Sequence, residues 1–459
     1  MTIRDARAFR FLKLLARPFL LPLLQRLRLR PAYPQVPGLT IRDRLRRDQV
    51  PSTVSIRSDQ TILVNGDPFF PIGLYYAGRA AQDVSGSGLR KLREMGFNTI
   101  HFTAGMEAYD QLDRIWDAGL RIWCRPPGAL HGDYHSLRDF VSEVARHPAL
   151  LCWEMDDEPV FNQVDLVDAA TGWRLVRDID PFHPILCNQW LSNLDQEKEI
   201  LQWASLADLH GFTIYPVPKW RWGKRMELVE GGWSHSIAVV GRQTDLWRTL
   251  TPNKPIIPVL QAWAWNCLED GEAGYPTYQE SRFMAYQAII HGAKGLHYYG
   301  TADSTQLNFA CGLPPAKEGQ DLEQIHENFL KAQKYNDWFW SYFDQVIKEI
   351  SRMSVVFVSE DAPWEPSIRV DSSPGEGAVE HRIKRYVNSA VMLFVNPTDR
   401  EALIEICAPQ LSNRVVRLWS QNRSIAVNSE GRFEDIIEAY GVRIYSDQPD
   451  LLADIRKGN

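Results

Sequence analysis

The sequence has few cysteines, and their spacing excludes two common roles. The six cysteines lie between positions 124 and 407, without the CxxC spacing of a zinc site or the density of a secreted disulfide framework. Three of them fall within apolar runs that are typical of strands. We therefore interpret them as reduced thiols of the core, which favours the cytoplasm as the location of the protein.

Long hydrophobic runs, a nucleotide-binding glycine loop and an excess of basic residues are also missing. Without eighteen consecutive apolar residues there is no candidate for a membrane-spanning helix. The net charge of −6 argues against a general nucleic-acid binder. The one histidine pair at i, i+4 spacing, His131 and His135, lies in a polar loop without clear partners. We expect neither a metal nor a cofactor.

Charge is distributed unevenly along the chain. Residues 1–48 hold twelve Lys/Arg and three Asp, a net of +9, which leaves −15 on residues 49–459. Residues 5–30 mix these basic groups with many leucines and phenylalanines, and Pro18 and Pro22 would divide a helix there. The pattern predicts a basic amphipathic segment that lies on an anionic membrane or a partner protein, with packing against the rest of the chain as the alternative. The protein would then be cytoplasmic and peripheral at the membrane.

Beyond a linker, short apolar runs alternate with segments of helical spacing. The predicted strands are Phe70–Tyr76, Asn98–Thr103, Arg121–Pro126, Leu150–Trp153, Pro184–Trp190, Leu209–Val217, Ile256–Ala262 and Gly295–Tyr299. The clearest predicted helices are Gly88–Met95, Ala108–Ala118, Ser136–Arg146, Tyr278–His291 and the long run His326–Ile350. Continuous apolar strands between helices are typical of a covered parallel sheet, and eight units are the count of a (β/α)₈ barrel. A doubly wound sheet is the alternative, but no GxGxxG motif follows the first strand.

After residue 350 the helical spacing of apolar residues ends, and short runs typical of strands follow. These are predicted at Val355–Val358, His381–Val387, Ala390–Asn396, Ala402–Ile406, Val415–Trp419 and Tyr440–Tyr445. Short strands separated by turns are typical of an antiparallel β-sandwich. The predicted organisation is an N-terminal basic amphipathic segment and linker (1–50), an α/β TIM barrel (51–350) and a small β-sandwich (351–459).

Acidic residues follow the fourth predicted strand, at the end of the barrel where active sites lie. Glu154, Asp156, Asp157 and Glu158 fall within five residues, and mutual repulsion should raise the pKa of at least one of them. A carboxyl with a raised pKa suits a general acid. Pro159 should favour an extended backbone at Glu158. Asp156 is a candidate for orienting a substrate group or keeping Glu158 protonated.

The same segment resembles a known signature. Asp157-Glu158-Pro159 after an apolar strand with Trp153 is similar to the Asn-Glu-Pro motif of clan A glycoside hydrolases. Five further segments of this chain resemble motifs of such barrels: Val64–Gly73, Gly96–Thr99, Gly292–Leu296, Gly431–Asp435 and Tyr440–Tyr445. The resemblance implies a (β/α)₈ barrel with a C-terminal β-sandwich. It also implies that Glu158 is the general acid/base for cleaving an oligosaccharide, polysaccharide or glycoconjugate.

Strand seven departs from that family. Clan A enzymes carry a nucleophilic Glu there, whereas this chain has Gln261, and an amide cannot form the glycosyl ester. A nearby carboxylate could replace it, from the group Glu269, Asp270, Glu272 and Glu280. Glu280 also fits a capping box with Thr277, so it is a second-choice catalytic residue. Otherwise the substrate supplies its own nucleophile, or the barrel binds sugar without cleaving it.

The remaining strand ends carry aromatic and amide side chains. An aromatic face packs on the C–H face of a sugar, while amides and arginine pair with hydroxyls. The candidate substrate-binding residues are Tyr75, Arg125, Asn188, Trp190, Tyr215, Gln261, Trp263, Trp265 and Tyr298. Core packing is the alternative for any one aromatic, but the set favours a saccharide cleft. We therefore predict a glycoside hydrolase, with a carbohydrate-binding protein that lacks the nucleophile as the alternative.

Overall fold

The computed structural model describes residues 50–76, 85–103, 109–127, 133–190, 197–218, 236–302, 320–371, 379–419 and 423–448, with residues 313, 451 and 455. The predicted amphipathic segment 5–30 and His131 lie outside these ranges, so that segment stays a prediction. No helix within them has the length and apolar character needed to cross a membrane. The described residues also contain no group of three or more His, Cys, Asp or Glu placed to hold a metal ion.

A small antiparallel sheet precedes the barrel. Its strands are β1 (Val54–Ile56), β2 (Ile62–Val64) and β3 (Asp67–Phe69). Asn65 and Gly66, both with positive φ, form the turn between β2 and β3, as an Asn-Gly hairpin requires. The backbone N–H of Val54 donates to the carbonyl of Phe182, just before barrel strand five, at 2.9 Å. The sheet therefore contacts the amino-terminal end of the barrel.

Eight parallel strands close into a barrel. They are β4 (Ile72–Tyr76), β5 (Thr99–Thr103), β6 (Arg121–Arg125), β7 (Leu150–Glu154), β8 (Ile185–Gln189), β9 (Leu209–Thr213), β10 (Ile256–Gln261) and β11 (Leu296–Thr301). Closure is by β11 against β4, where Leu296 pairs with Ile72. Each coincides with a predicted strand, so the barrel prediction is confirmed.

Helices cover the barrel. The described ones are α1 (Ser87–Glu94), α2 (Tyr109–Asp117), α3 (Tyr134–Val144), α4 (Leu166–Ile179), α5 (Glu197–Leu206), α6 (Val239–Leu250), α7 (Cys267–Asp270), α8 (Tyr278–Ile290) and α9 (Leu322–Phe357). The predicted strand Val355–Val358 is wrong, because α9 continues to Phe357. Buried side chains recur every three or four residues to its end, at Phe343, Ile347, Ile350, Met353 and Val356. This spacing keeps the buried side of the last helical turn of α9 facing the barrel.

The C-terminal strands form two antiparallel sheets. They are β12 (Glu360–Asp361), β13 (Ser367–Asp371), β14 (Glu380–Tyr386), β15 (Ser389–Val395), β16 (Ala402–Cys407), β17 (Val415–Leu418), β18 (Ser424–Ala426), β19 (Arg432–Ile437) and β20 (Val442–Ser446). The larger sheet has the order β12-β14-β15-β20-β17-β18, and the smaller has the order β13-β16-β19. Phe394 and Tyr445 of the first sheet and Phe433 of the second share one buried core. This confirms the predicted β-sandwich.

Candidate active site

The floor of the barrel mouth is a stacked aromatic pair. The rings of Trp123 and His297 lie 3.9 Å apart at 12°, and both are buried. Gly73 on β4 makes this possible, because a Cβ there would approach Cδ2 of His297 to 2.5 Å. Tyr75, two residues further along β4, has its ring edge-on to Trp123 at 5.2 Å. The interior is therefore filled up to the level of Tyr75.

Glu154, at the end of β7, is the fully buried anion of the site. Its Oε1 accepts from the hydroxyl of Tyr75 at 2.7 Å. Its Oε2 lies 2.5 Å from Nε2 of His101 and 3.2 Å from Nη2 of Arg125. Burial opposes ionisation, but the charges of His101 and Arg125 outweigh it and lower the pKa of Glu154 to about 2. Glu154 is therefore a fixed negative charge that joins the ends of the first four barrel strands, β4 to β7.

Arg125 connects this buried anion to a more exposed carboxylate. Its Nη2 also lies 4.0 Å from Oδ2 of Asp157, whose side chain is 42% exposed. The other oxygen of Asp157, Oδ1, accepts from Nδ2 of Asn188 at 3.2 Å. Asn188 Nδ2 also donates to Oγ1 of Thr213 at 3.1 Å. The ends of β6, β7, β8 and β9 are thus linked by polar side chains around Asp157.

Glu158 lies beside this chain of polar groups and takes an unusual backbone conformation. Its carboxylate accepts a hydrogen bond from the Thr213 side chain. Burial and the charge of Asp157 outweigh that bond and raise the pKa of Glu158 to about 7. The expected extended backbone is wrong, because Glu158 has φ 47°. The N–H of Glu158 donates to the carbonyl of Asn188 at 3.1 Å, and this tertiary bond holds the strained conformation against the local preference.

Asp156 is buried beneath the two carboxylates that follow it. Only 4% of the residue is exposed, and its Oδ2 has no hydrogen-bond partner among the described residues. Burial, with the nearby charges of Glu154 and Asp157, raises the pKa of Asp156 to about 7 although Arg125 opposes this. Asp156 and Glu158 both bind protons near neutrality, whereas Glu154 does not. The sequence predicted a raised pKa for at least one carboxyl of this run, and Asp156 and Glu158 both have one, with burial as its largest cause.

Aromatic residues form one wall of the mouth. The ring of Tyr215 lies 5.5 Å from Trp263, 6.1 Å from Trp265 and 5.6 Å from Tyr299, centroid to centroid. Tyr299 is in turn 6.1 Å from Tyr75. The indole N–H of Trp265 donates to the carbonyl of Tyr215 at 3.1 Å. These contacts make a continuous aromatic surface from the ends of β9 and β10, through β11, to β4.

Tyr298 does not belong to this surface, so its predicted role in substrate binding is wrong. Its ring packs at 6.4 Å from Phe97 and at 5.2 Å from Phe343 of α9, outside the barrel. Successive side chains of a strand point to opposite faces, so His297 and Tyr299 point inward and Tyr298 outward. The tyrosine of β11 that faces the mouth is Tyr299.

Gln261, at the end of β10, is fully buried and bonded to backbone. Its Oε1 accepts from the N–H of Val217 at 2.9 Å. Its Nε2 donates to the carbonyls of Val217 at 2.7 Å and Trp263 at 2.9 Å. Both amide hydrogens are used, which leaves none for a substrate hydroxyl. The side chain instead fixes the segment after β9 to the end of β10.

Replacing Gln261 should therefore affect stability more than binding. Gln261→Ala is expected to lower the free energy of unfolding by about 2–4 kcal/mol, because buried backbone groups lose their partner at about 1–3 kcal/mol each. Urea unfolding measures this. Gln243→Ala is the control, since Gln243 is a buried glutamine of α6 whose Oε1 has no partner among the described residues. A stable Gln261→Ala protein with weakened saccharide binding would assign the amide to the substrate instead.

The replacement carboxylates considered from the sequence lie on the segment after β10. Glu280 forms the capping box of α8: its Oε2 accepts from the N–H of Thr277 at 2.8 Å, and Thr277 Oγ1 accepts from the N–H of Glu280 at 3.2 Å. Burial raises the pKa of Tyr342 on α9, and the charges of Glu280 and Glu272 raise it further, so both carboxylates lie near α9. The structure thus gives Glu280 the structural role that the capping pattern indicated, and the predicted catalytic role is not supported by its contacts.

Sequence reasoning left Glu154 and Thr213 out of the candidate residues. Glu154 was only one of four carboxylates, and nothing in its immediate sequence separates it from the others. Its position as the last residue of β7, two after the inward Cys152, is the signal that could have found it. Thr213 carries no such signal, since its partners Asn188 and Glu158 come from other strand ends.

This architecture is similar to solved structures, although no sequence match to it is found. No protein-family profile and no curated protein sequence matches the chain. A glycoside hydrolase family 5 structure from Bacteroides vulgatus ATCC 8482 matches with a TM-score of 0.55 at 14% identity, covering 86% of this chain and 93% of that one. A maltotriose complex of an AmyP variant matches with a TM-score of 0.50 at 10% identity, covering 83% and 97%. At these identities the likeness establishes the fold alone, a (β/α)₈ barrel followed by a β-sandwich.

Proposed function

We propose that this protein is a glycoside hydrolase in which Glu158 donates the proton to the leaving oxygen. The observation that carries this proposal is the pKa of Glu158, raised to about 7 by burial and by the charge of Asp157 at the mouth of the barrel. Such a carboxyl is protonated at neutral pH and able to transfer its proton, as general acid catalysis requires. The same signature, Asp157-Glu158-Pro159, resembles the acid/base motif of the clan.

Aromatic and polar side chains at the ends of neighbouring strands suit a saccharide. Asn188, near the end of β8, donates through Nδ2 to Asp157 and Thr213. Carboxylate, amide and hydroxyl groups of this kind are the partners of sugar hydroxyls. Trp263 presents its ring next to Tyr215 and Trp265. This combination of apolar faces and polar groups supports a sugar ring lying against the aromatic wall.

The proposed chemistry uses two carboxylates of one strand end. Glu158 protonates the glycosidic oxygen as the bond from that oxygen to the anomeric carbon breaks, and positive charge develops on the sugar ring. Asp157, half exposed beside Arg125 and Asn188, is the anion that stabilises that charge. Glu154 fixes Arg125, so that Asp157 is held in place from the buried side. Water then adds to the anomeric carbon and gives a proton to the Glu158 carboxylate, which restores the acid and releases the sugar with a new hydroxyl group.

A second candidate function is saccharide binding without cleavage. It is favoured by Gln261, since an amide occupies the position of the strand-seven nucleophile and is bonded only to backbone groups. A panel of 4-nitrophenyl glycosides separates the two functions. Release of nitrophenol by the wild-type protein supports the hydrolase. Binding of sugars with no release from any member of the panel supports the alternative.

The pH dependence of turnover tests the role of Glu158. As a proton donor it must be protonated, so kcat/KM should fall as pH rises through about 7. Asp157→Asn removes a negative charge that raises this pKa, so it should move the descending limb to lower pH. The measurement is kcat/KM on an oligosaccharide of the sugar that the nitrophenyl panel identifies, from pH 4 to pH 9. A descending limb unmoved by Asp157→Asn would exclude Glu158 as the group that titrates.

A further inference from the structure

An exposed phenylalanine and a half-buried tryptophan lie close in the chain to the proposed acid and its neighbouring strand end, outside the aromatic wall. Phe161, three residues after Glu158, is 48% exposed. Its ring lies 4.8 Å from the ring of Trp190, at an interplanar angle of 68°. Trp190 directly follows β8 and is itself only half buried. The two rings therefore form an open corner on the carboxyl-terminal rim of the barrel.

Hydrogen bonds tie this corner to the backbone of Asp157 and Glu158. The N–H of Asn162 donates to the carbonyl of Glu158 at 2.8 Å, and its side-chain amide donates to the carbonyl of Asp157 at 2.6 Å. The N–H of Val160 donates to Oε1 of Gln189, adjacent to Trp190, at 3.4 Å. The turn that carries Phe161 is thus held both to the site and to the strand end that carries Trp190.

Contact of these apolar rings with water is unfavourable, and burying them in the core would avoid it. Burying a phenylalanine side chain stabilises a protein, and Phe161, which is 48% exposed, forgoes much of this stabilisation in the free protein. Two flat faces at a steep angle fit a ring whose C–H face packs on one of them and whose edge meets the other. A pyranose ring has this shape. The polar residues nearby, Asn162 and Gln189, carry no charge that would select an ion.

We propose that Phe161 and Trp190 form a subsite for a second sugar ring, next to the ring whose glycosidic bond is cleaved. The substrate is then an oligosaccharide or the end of a longer chain, not the glycoside of a single sugar. This inference rests on the proposed function, because the subsite is placed by its distance along the chain and its hydrogen bonds to Glu158 and Asp157.

Calorimetric titration of the Glu158→Gln protein tests the subsite without turnover. The probes are cellotriose, maltotriose, xylotriose and triacetylchitotriose. We expect at least one to bind, and Phe161→Ala or Trp190→Ala in that background to weaken its binding at least tenfold. Phe161→Leu, which keeps apolar bulk without a flat face, should weaken it similarly, whereas Trp190→Phe should retain most of it. A second measurement, kcat/KM of the otherwise wild-type protein on a 4-nitrophenyl monoglycoside, follows turnover separately from trisaccharide binding.

Phe182→Ala is the matched control, since Phe182 is a phenylalanine that is 61% exposed before the start of β8, at the opposite end of the barrel. It should change neither measurement. Binding of no probe, or equal binding by the parent and Phe161→Ala proteins, would overturn the subsite even if monoglycosides are hydrolysed. Trisaccharide binding that depends on Phe161, without hydrolysis of any nitrophenyl glycoside, would keep the subsite and overturn the hydrolase.

Discussion

Glu158→Gln is expected to lower kcat/KM by about 10²–10⁴-fold on an oligosaccharide that the wild-type protein hydrolyses, the usual contribution of a positioned general acid or base. Glutamine has nearly the same shape, and its carbonyl oxygen can still accept the hydrogen bond from Thr213. What it lacks is the transferable proton. KM should therefore change much less than kcat. The measurement is steady-state kinetics on an oligosaccharide of the sugar that the nitrophenyl panel identifies, because a sugar leaving group needs the proton whereas nitrophenolate leaves without it.

Glu280→Gln is the matched control for this loss. Glu280 caps α8 through Thr277, and glutamine serves equally well in a capping box. Activity and thermal stability should both stay near the wild-type values. Equal rates for Glu158→Gln and wild type would remove Glu158 from the mechanism. A large loss in Glu280→Gln would return Glu280 to the list of catalytic residues.

Glu154→Ala should be among the most destabilising substitutions of the barrel, by about 3–5 kcal/mol, because removing one partner leaves buried charge uncompensated. Tyr75, His101 and Arg125 would all lose their acceptor. Glu154→Gln keeps an acceptor oxygen and should cost less. Urea unfolding at pH 7 gives both values, and a loss below about 1 kcal/mol in Glu154→Ala would contradict this account of the network.

The destabilisation at Glu154 should depend on pH with a defined sign. Its folded-state pKa of about 2 lies below the ordinary 4.5, so its stabilisation is complete above about pH 4.5 and is lost as pH falls towards 2. The difference between wild type and Glu154→Ala should therefore be smaller at pH 3 than at pH 7. Glu349→Ala is the control, since Glu349 also accepts from an arginine and a tyrosine, Arg282 and Tyr286, but outside the barrel mouth. It should lower stability while the folded protein keeps its activity.

The sequence by itself was sufficient for the barrel and for the acidic run. Eight apolar runs between helical segments predict eight strands, because burial on both faces leaves a continuous apolar signature in each. The capping box at Thr277 and Glu280 was also readable, since both partners lie within one helical turn. The error at Val355–Val358 arose because a short apolar run fits a strand and a helix end equally well.

Which side chains meet in the mouth was decided by tertiary structure. Periodicity leaves open which of two adjacent tyrosines faces inward, and only closure of β11 against β4 directs Tyr299 to the mouth and Tyr298 to α9. Two of the three hydrogen bonds of Gln261 join it to the backbone of Val217, in the segment after another strand, so its amide looked free in the sequence.

The roles within the acidic run were decided in the same way. Glu154 differs from Glu158 only through its neighbours: Tyr75, His101 and Arg125 surround the former, and Asp157 and Thr213 the latter. Local sequence determined that carboxylates gather at the end of β7, because the strand and the acidic residues are contiguous. Their protonation depends on burial and on charges contributed by strands far away in the chain, and those distances exist only in the folded barrel.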